Sequence, residues 1–259
     1  MNIAFWNVQR LGKATSDAAK AVVANAIDDF FDNRDVSVVV LCEVSSDTTV
    51  SADSAKEYKI SKIHAATRRG RRKASAQLGY TVISRGDTGF EPRAYEVPAY
   101  KDVFGFDPWK KGGGSFSKNS KRKVLEFASL CDDTDVYFYH ANASDLSKHL
   151  VPWVAEAIRL RTEKHNYPFL LIGDLNCEPT ELEVSLKSYE APNYKKTGWA
   201  GKFKVTYGGK THNAHHGCLK TLDYVIGKAN EAVTVSTIDT RDFGNLEDHP
   251  DHLPIIVTI

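Results

Sequence analysis

Carboxylate, amide and imidazole side chains recur at the ends of apolar runs along this chain. Asn7 follows the run 3–6, Glu43 follows 36–42, and His140 closes 136–140. Asp174 and Asn176 come after 169–172 and its trailing Gly173, Asp223 lies within 222–226, and Asp251 and His252 precede Leu253 and the last run. A single polar residue at a strand end carries no information, because loops are polar. Six runs that each deliver such a group at an edge would gather them in one place if the runs share sheets. Asn, Glu and Asp offer hard oxygen donors, which suit Mg²⁺ better than zinc. A histidine beside an aspartate suits proton transfer, since the carboxylate orients the ring.

The elements that must position these groups can be read from periodicity. Strands are expected at residues 3–6, 36–42, 78–84, 124–130, 136–140, 169–172, 222–226, 233–238 and 253–258. The run 36–42 is rich in β-branched residues, as in a buried strand. Ser16 or Asp17 caps a helix in which Ala19, Val22, Val23, Ala26, Ile27, Phe30 and Phe31 form one apolar face. A second helix is expected between Asp145 and Lys164, with Pro152 in its first turn or kinking it. Residues 90–123 read as loop-rich. There is no internal repeat and no linker, so residues 1–259 are expected to form a single domain. Many strands with few helices point to two packed sheets with helical outer layers.

Composition sets the boundaries. Of 259 residues, 26% are charged and 42% hydrophobic, ordinary values for a globular chain able to bury a large core without staples. No stretch approaches the roughly 20 apolar residues of a membrane span. No leader is expected, because Ile3-Ala4-Phe5-Trp6 reads as core strand. The expected location is the cytoplasm, or the exterior by a route without a cleaved signal. Cys42, Cys131, Cys177 and Cys218 fit no disulfide framework.

The net charge is only +1, but it is unevenly spread. Arg68, Arg69, Arg71, Arg72 and Lys73 form one basic burst; Lys110, Lys111, Lys118, Lys121, Arg122 and Lys123 form another with no acid among them. Together with the acids above, two basic loops favour a polyanion contact. Trp109, Phe116 and Trp199 stand near basic residues where they could stack on bases. The spacing of His212, His215, His216 and Cys218 matches no standard zinc finger. That segment reads instead as a loop over the site that contacts substrate.

The pieces Phe5-Trp6-Asn7-Val8, Leu41-Cys42-Glu43, Tyr139-His140-Ala141-Asn142, Ile172-Gly173-Asp174-Leu175-Asn176, Leu222-Asp223-Tyr224-Val225 and Asp251-His252-Leu253-Pro254 occur in this order. In this the chain resembles the endonuclease/exonuclease/phosphatase superfamily, the DNase I-like fold, over nearly its whole length. Arg122-Lys123-Val124-Leu125 is similar to the Arg-containing approach to a central strand in the DNase I branch. The resemblance implies a four-layer α/β/β/α sandwich of two mainly antiparallel sheets. It implies Mg²⁺ as cofactor, with Mn²⁺ or Ca²⁺ substituting or assisting. Glu43 would be the principal ligand, with Asn7 and Asp251 completing the site. Asp174 and Asn176 would orient water and phosphate. His252, held by Asp223, would act as base or as a hydrogen-bond donor that stabilises the phosphate, and His140 would bind phosphate or protonate the leaving oxygen. Arg122 would neutralise a phosphate and Asn142 would contact substrate; Arg68, Arg69, Arg71 and Arg72 are expected to contact substrate on the ground of their charge alone. Asp251-His252 is preferred to the nearby pair Asp248-His249 because Leu253-Pro254-Ile255 follows it, as the family pattern requires.

The chain departs from that pattern twice. The branch carries an acid on its third strand beside the first histidine, whereas Ala76-Gln77-Leu78-Gly79-Tyr80 has none and Gln77 is the nearest polar substitute. Pro250 stands where the family commonly has Ser. The expected activity is Mg²⁺-dependent endonucleolytic cleavage of nucleic acid, DNA in particular, by a monomer. The alternative is hydrolysis of a phosphoinositide, sphingomyelin or another small phosphate ester. Thr221-Leu222-Asp223-Tyr224 disfavours a phosphoinositide phosphatase, in which a Trp-Cys-Asp-Arg-like signature stands at that place.

Overall fold

The computed structural model describes residues 1–9, 11–46, 48–50, 58–63, 78–85, 91–98, 103, 124–131, 134–141, 143, 147–165, 167–188, 203–212, 219–228 and 232–259. The elements in chain order are β1 (Asn2–Asn7), α1 (Asp17–Asn33), β2 (Val36–Ser45), β3 (Tyr58–Ile63), β4 (Leu78–Arg85), β5 (Arg93–Tyr95), β6 (Val124–Cys131) and β7 (Thr134–Phe138). There follow α2 (Ser147–Glu163), β8 (Phe169–Asp174), α3 (Pro179–Ser188), β9 (Phe203–Thr206), β10 (Asp223–Lys228), β11 (Thr234–Thr237) and β12 (Ile255–Thr258). Two 3-10 turns, Arg241–Phe243 and Leu246–Asp248, precede β12.

The strands form two six-stranded sheets, ordered β11-β12-β1-β2-β4-β3 and β5-β6-β7-β8-β10-β9. Each sheet has one parallel pair, β1 with β2 and β7 with β8, and its other neighbours are antiparallel. Alternation along each strand sorts side chains into layers. In β1, Ile3 and Phe5 join the inter-sheet core, whereas Ala4 and Trp6 pack outward with Val23, Ile27 and Phe30 of α1. In β8, Leu170 and Ile172 face the other sheet, whereas Phe169 and Leu171 pack with Val154 and Ile158 of α2 and Leu182 of α3. The result is the expected α/β/β/α sandwich. Each fully buried aliphatic or aromatic side chain contributes on the order of 2 kcal/mol. Cys42 and Cys177 are free thiols within these layers, so neither acts as a staple.

Ser16 caps α1, its Oγ accepting from the Ala19 N–H at 3.1 Å. Several elements differ from the sequence expectation. Pro152 lies in the second turn of α2, not the first. Strands β3, β5 and β9 stand at sheet edges, where pairing on one side sustains a short strand without an apolar run. β5 occupies part of the segment read as loop. The short helix α3 was also missed because its residues are mostly polar, yet its start carries a signal: Pro179 opens it, and Glu181 Oε2 accepts from the Glu178 N–H at 3.0 Å. Among the described residues no helix is long and apolar enough to cross a membrane.

The topology collects the polar strand ends. A parallel pair joined by a helical crossover presents both C-terminal ends on one edge. β12 runs antiparallel to β1 and β10 antiparallel to β8, so their starting ends reach the same edge. That edge carries Asn7, Glu43, Asp174, Asp223 and the residues just before β12.

Candidate active site

Asn7 continues the inward row of Ile3 and Phe5, and Asp174 that of Leu170 and Ile172. The two therefore meet across the sandwich, Asn7 Nδ2 donating to Asp174 Oδ2 at 2.8 Å. Asn7 Oδ1 accepts from the Gln9 N–H at 3.0 Å. Glu43 reaches the same space by another route. Cys42 pairs with Tyr80 and Val44 with Gly79, so Glu43 is an extra residue inside β2, with φ 62°. The strand thus runs past Glu43 instead of ending before it. Strict alternation would turn Glu43 toward α1; the bulge places Val44 in that layer instead and re-aims the carboxylate. Its Oε1 lies 3.5 Å from His140 Nε2. Gln9, Glu43 and Asn176 all have left-handed backbones, and the fourth such non-glycine residue described is Asp35, before β2. Strain of this kind gathers where function fixes geometry.

Asp223 sits directly opposite Asp174 in the β8–β10 ladder. Two like charges so placed repel, and His252 stands between them. Its Nδ1 lies 2.8 Å from Asp223 Oδ2, which makes Nδ1–H the donor and turns Nε2 toward Asp174 Oδ2 at 3.8 Å. Burial opposes charge on this imidazole, but the carboxylates of Asp223 and Asp174 outweigh it and raise its pKa from 6.5 to about 9. Burial pushes the Asp174 carboxyl up from the usual range, against the pull of His252 and of hydrogen bonds from Asn7 and Asn176. The backbone fixes this group. Trp6 Nε1–H donates to the His252 carbonyl at 2.7 Å, and Thr211 Oγ1 accepts from the Leu222 and Asp223 N–H groups, each at 3.1 Å.

Asn176 (φ 50°) donates its N–H to Asp174 Oδ1 at 3.1 Å and its Nδ2 to the Ala141 carbonyl at 2.9 Å. His140 Nε2 lies 3.5 Å from Asp174 Oδ2 as well as from Glu43. Its N–H donates to the Tyr80 hydroxyl at 2.8 Å. The carboxylates beside this histidine thus come from β2 and β8, and β4 contributes a tyrosine. Asp251 is held by its N–H, which donates to Gln9 Oε1 at 2.8 Å.

Asn7, Glu43, His140, Asp174, Asn176, Asp223, Asp251 and His252 therefore share one edge of the sandwich. Arg68, Arg69, Arg71, Arg72, Gln77, Arg122, Asn142, Trp109, Phe116, Trp199, His215, His216 and Cys218 lie outside the described residues. The rival His249 is buried, with Nδ1 on Thr240 Oγ1 at 2.8 Å and Nε2 on the Gly244 carbonyl at 3.1 Å, so it acts as a structural brace. Sequence reasoning missed Gln9, Thr211 and the place of His212, whose Nε2 lies 3.2 Å from Asp251 Oδ2. The signal for His212 was its membership of the histidine-rich segment read as a loop over the site, which gave no hint of its contact with Asp251.

Asp174, Asp223 and His252 offer ligand atoms all within 4.8 Å of one another. Asp223 Oδ2 is engaged on His252 Nδ1, while its buried Oδ1 has no hydrogen-bond partner among the described residues, and the trio reads as a proton-bearing dyad facing an acid. Glu43 is better suited to a cation. It is partly open, with 16% of its side chain exposed, and among the described residues its only ion-pair neighbour is His140. With the oxygen donors of Asn7 and Asp251 at the same edge, the donor set fits a hard divalent cation.

The sequence matches no protein-family model and no curated protein. Solved structures are similar over nearly the full chain. The cytolethal distending toxin of Haemophilus ducreyi is 15% identical with a TM-score of 0.61, covering 99% of this chain and 97% of that one. An endonuclease/exonuclease/phosphatase family protein from Leptotrichia buccalis is 14% identical with a TM-score of 0.59, covering 100% and 99%. TDP2 of Caenorhabditis elegans is 13% identical with a TM-score of 0.59, covering 99% and 73%. With its two mixed sheets between helical layers, this chain has the fold of these structures, the DNase I-like fold.

Proposed function

We propose that this protein is a Mg²⁺-dependent endonuclease that hydrolyses phosphodiester bonds in DNA. The observation that carries the reading is the Asp223–His252 dyad, whose Nε2 faces Asp174 while Glu43 and Asn7 stand across the sheet interface. Glu43, Asn7 and Asp251 hold the cation, a role Mn²⁺ or Ca²⁺ can share. When bound, it lowers the pKa of water and offsets charge on the phosphorus. His252, with its raised pKa, is protonated at neutral pH and donates Nε2–H to a phosphate oxygen. Asp174 is the better base, because burial brings a carboxyl toward the operating pH. Asn176 fixes Asp174 from the other side, and His140, whose Nε2 lies 3.5 Å from both Glu43 and Asp174, protonates the leaving oxygen. The substrate class is supported by the two basic segments, with Arg122 and Asn142 assigned to phosphate contact, and by the endonuclease named in the family of one structural neighbour.

The test is to incubate purified protein with supercoiled plasmid, single-stranded DNA, RNA and phosphoinositide vesicles, each with Mg²⁺ or EDTA. Nicking of plasmid that EDTA abolishes is expected. Phosphate release from the vesicles without nicking would replace this reading by the small-ester alternative.

A further inference from the structure

We propose that His212 is a nitrogen ligand to the divalent cation at the Asp251 edge of this site, so that the site favours Mn²⁺ over Mg²⁺. This rests on the reading of Asp251 as a metal ligand and adds a donor of a different kind to it.

His212 is placed by backbone on both sides. Its N–H donates to the Lys220 carbonyl at 3.0 Å, its carbonyl accepts from the Leu219 N–H at 3.1 Å, and the Leu253 N–H donates to the Thr211 carbonyl at 2.7 Å. Isolated β-bridges pair it with both Lys220 and His252. The ring packs edge-on against the His252 ring, with centroids 4.7 Å apart and planes at 71°. This leaves Nε2 at 3.2 Å from Asp251 Oδ2.

Three histidines can be compared at this end of the molecule. His249 has both ring nitrogens occupied by protein groups, and His252 has Nδ1 on Asp223. Among the described residues neither nitrogen of His212 makes a hydrogen bond: Nδ1 is buried without a partner, and Nε2 has only the 3.2 Å contact. A lone pair is therefore available beside a carboxylate oxygen. Donors about 2.1–2.3 Å from an octahedral ion stand about 3.0–3.2 Å apart when adjacent, √2 times the bond length. The observed separation matches that edge. Imidazole is a softer donor than carboxylate, amide or water, so its presence favours a transition ion over Mg²⁺.

Mn²⁺ is the probe, because it is paramagnetic and needs no substrate. Mn²⁺ is titrated into the whole protein by EPR, Mg²⁺ affinity is measured by competition, and electron spin echo modulation reports any ¹⁴N coupled to bound Mn²⁺. In the unaltered protein, ¹⁴N modulation is expected. In His212→Phe, which retains a ring to pack on His252, modulation should vanish and Mn²⁺ should bind at least about 10-fold more weakly. Mg²⁺ affinity should fall by less. His212→Asn is the second variant, and both are checked by circular dichroism melting. Absence of ¹⁴N coupling in the unaltered protein, its persistence in both variants, or an unchanged Mn²⁺-to-Mg²⁺ ratio would each overturn the assignment. Weaker Mn²⁺ binding without a change in ¹⁴N coupling would make His212 a prop for Asp251 and overturn it too. The readout is independent of cleavage. A protein that binds Mn²⁺ through His212 but cuts no nucleic acid keeps this inference and loses the nuclease reading.

Discussion

A carboxylate as buried as Asp174 is tolerated because donors and potential cations converge on it. These are Asn7 Nδ2 and the Asn176 N–H by hydrogen bond, and the Nε2 atoms of His140 and His252 at 3.5 and 3.8 Å. Glu43 has far fewer partners, and in the proposed function this difference assigns the cation to Glu43 and the proton to Asp174. Glu43→Gln keeps the shape but removes the charge. Its cation affinity should fall by more than the roughly 10–100-fold lost with an outer-shell partner, with an unchanged melt; near-normal turnover at low Mg²⁺ would reject the assignment. His252 gives a pH prediction. Its folded pKa of about 9 lies above its ordinary 6.5, so the folded state binds more protons between the two. The stabilisation is full below 6.5 and is lost as pH rises through 9. Denaturant titrations in EDTA from pH 6.5 to 9 should show falling stability, and His252→Asn should flatten the fall. A slope that His252→Asn leaves intact would place the titrating group elsewhere. In the proposed function Asp223 acts through His252, so Asp223→Asn combined with His252→Ala should lose little more activity than His252→Ala alone. Additive losses would separate the pair.

At the scale of elements, most of the site's placement follows from alternation, which explains what could be read in advance. The rows 3, 5, 7 and 170, 172, 174 are continuous in sequence, so the meeting of Asn7 with Asp174 is implicit once two sheets are assumed. The bulge at Glu43 is not implicit, because nothing in Leu41-Cys42-Glu43-Val44 announces a left-handed residue. His212 reads as part of a loop over the site, but its contact with Asp251 was hidden for another reason: it arises from backbone bridges to Lys220 and His252, and bridging of that kind leaves no side-chain pattern. Edge strands β5 and β9 were invisible because half-exposed strands need no apolar run. Gly173 shows how closely the strands approach just before Asp174. A Cβ there would lie 1.8 Å from the Tyr139 carbonyl oxygen, which is backbone and cannot swing aside. Gly173→Ala should therefore cost about 3 kcal/mol or more, toward the upper end of overpacking penalties. It should also lower activity by shifting Asp174 relative to Asn7. A denaturation midpoint equal to that of the unaltered protein would show that β7 and β8 can separate without penalty.

Across the whole molecule, a near-neutral total conceals a division of labour in charge. The acids meet at one edge of the sandwich, whereas the densest cations lie in sequence between β3 and β4 and between β5 and β6, at positions outside the described residues. None of the residues assigned to the chemistry lies in the first segment, so chemistry and polyanion binding should be separable by mutating it. Replacing Arg68, Arg69, Arg71 and Arg72 with Ser should weaken binding to long duplex DNA and flatten its salt dependence. Each phosphate contact contributes roughly −0.9 to the slope of log affinity against log salt, so loss of even two contacts is measurable by fluorescence anisotropy. Hydrolysis of a small chromogenic phosphodiester should change little, because Glu43, Asp174 and His252 remain in place. An unchanged salt slope would mean that these arginines are only solvated. An unchanged slope with normal plasmid nicking would move the polyanion contact to Lys110–Lys123, and the same titration on a variant of that second segment would then decide it.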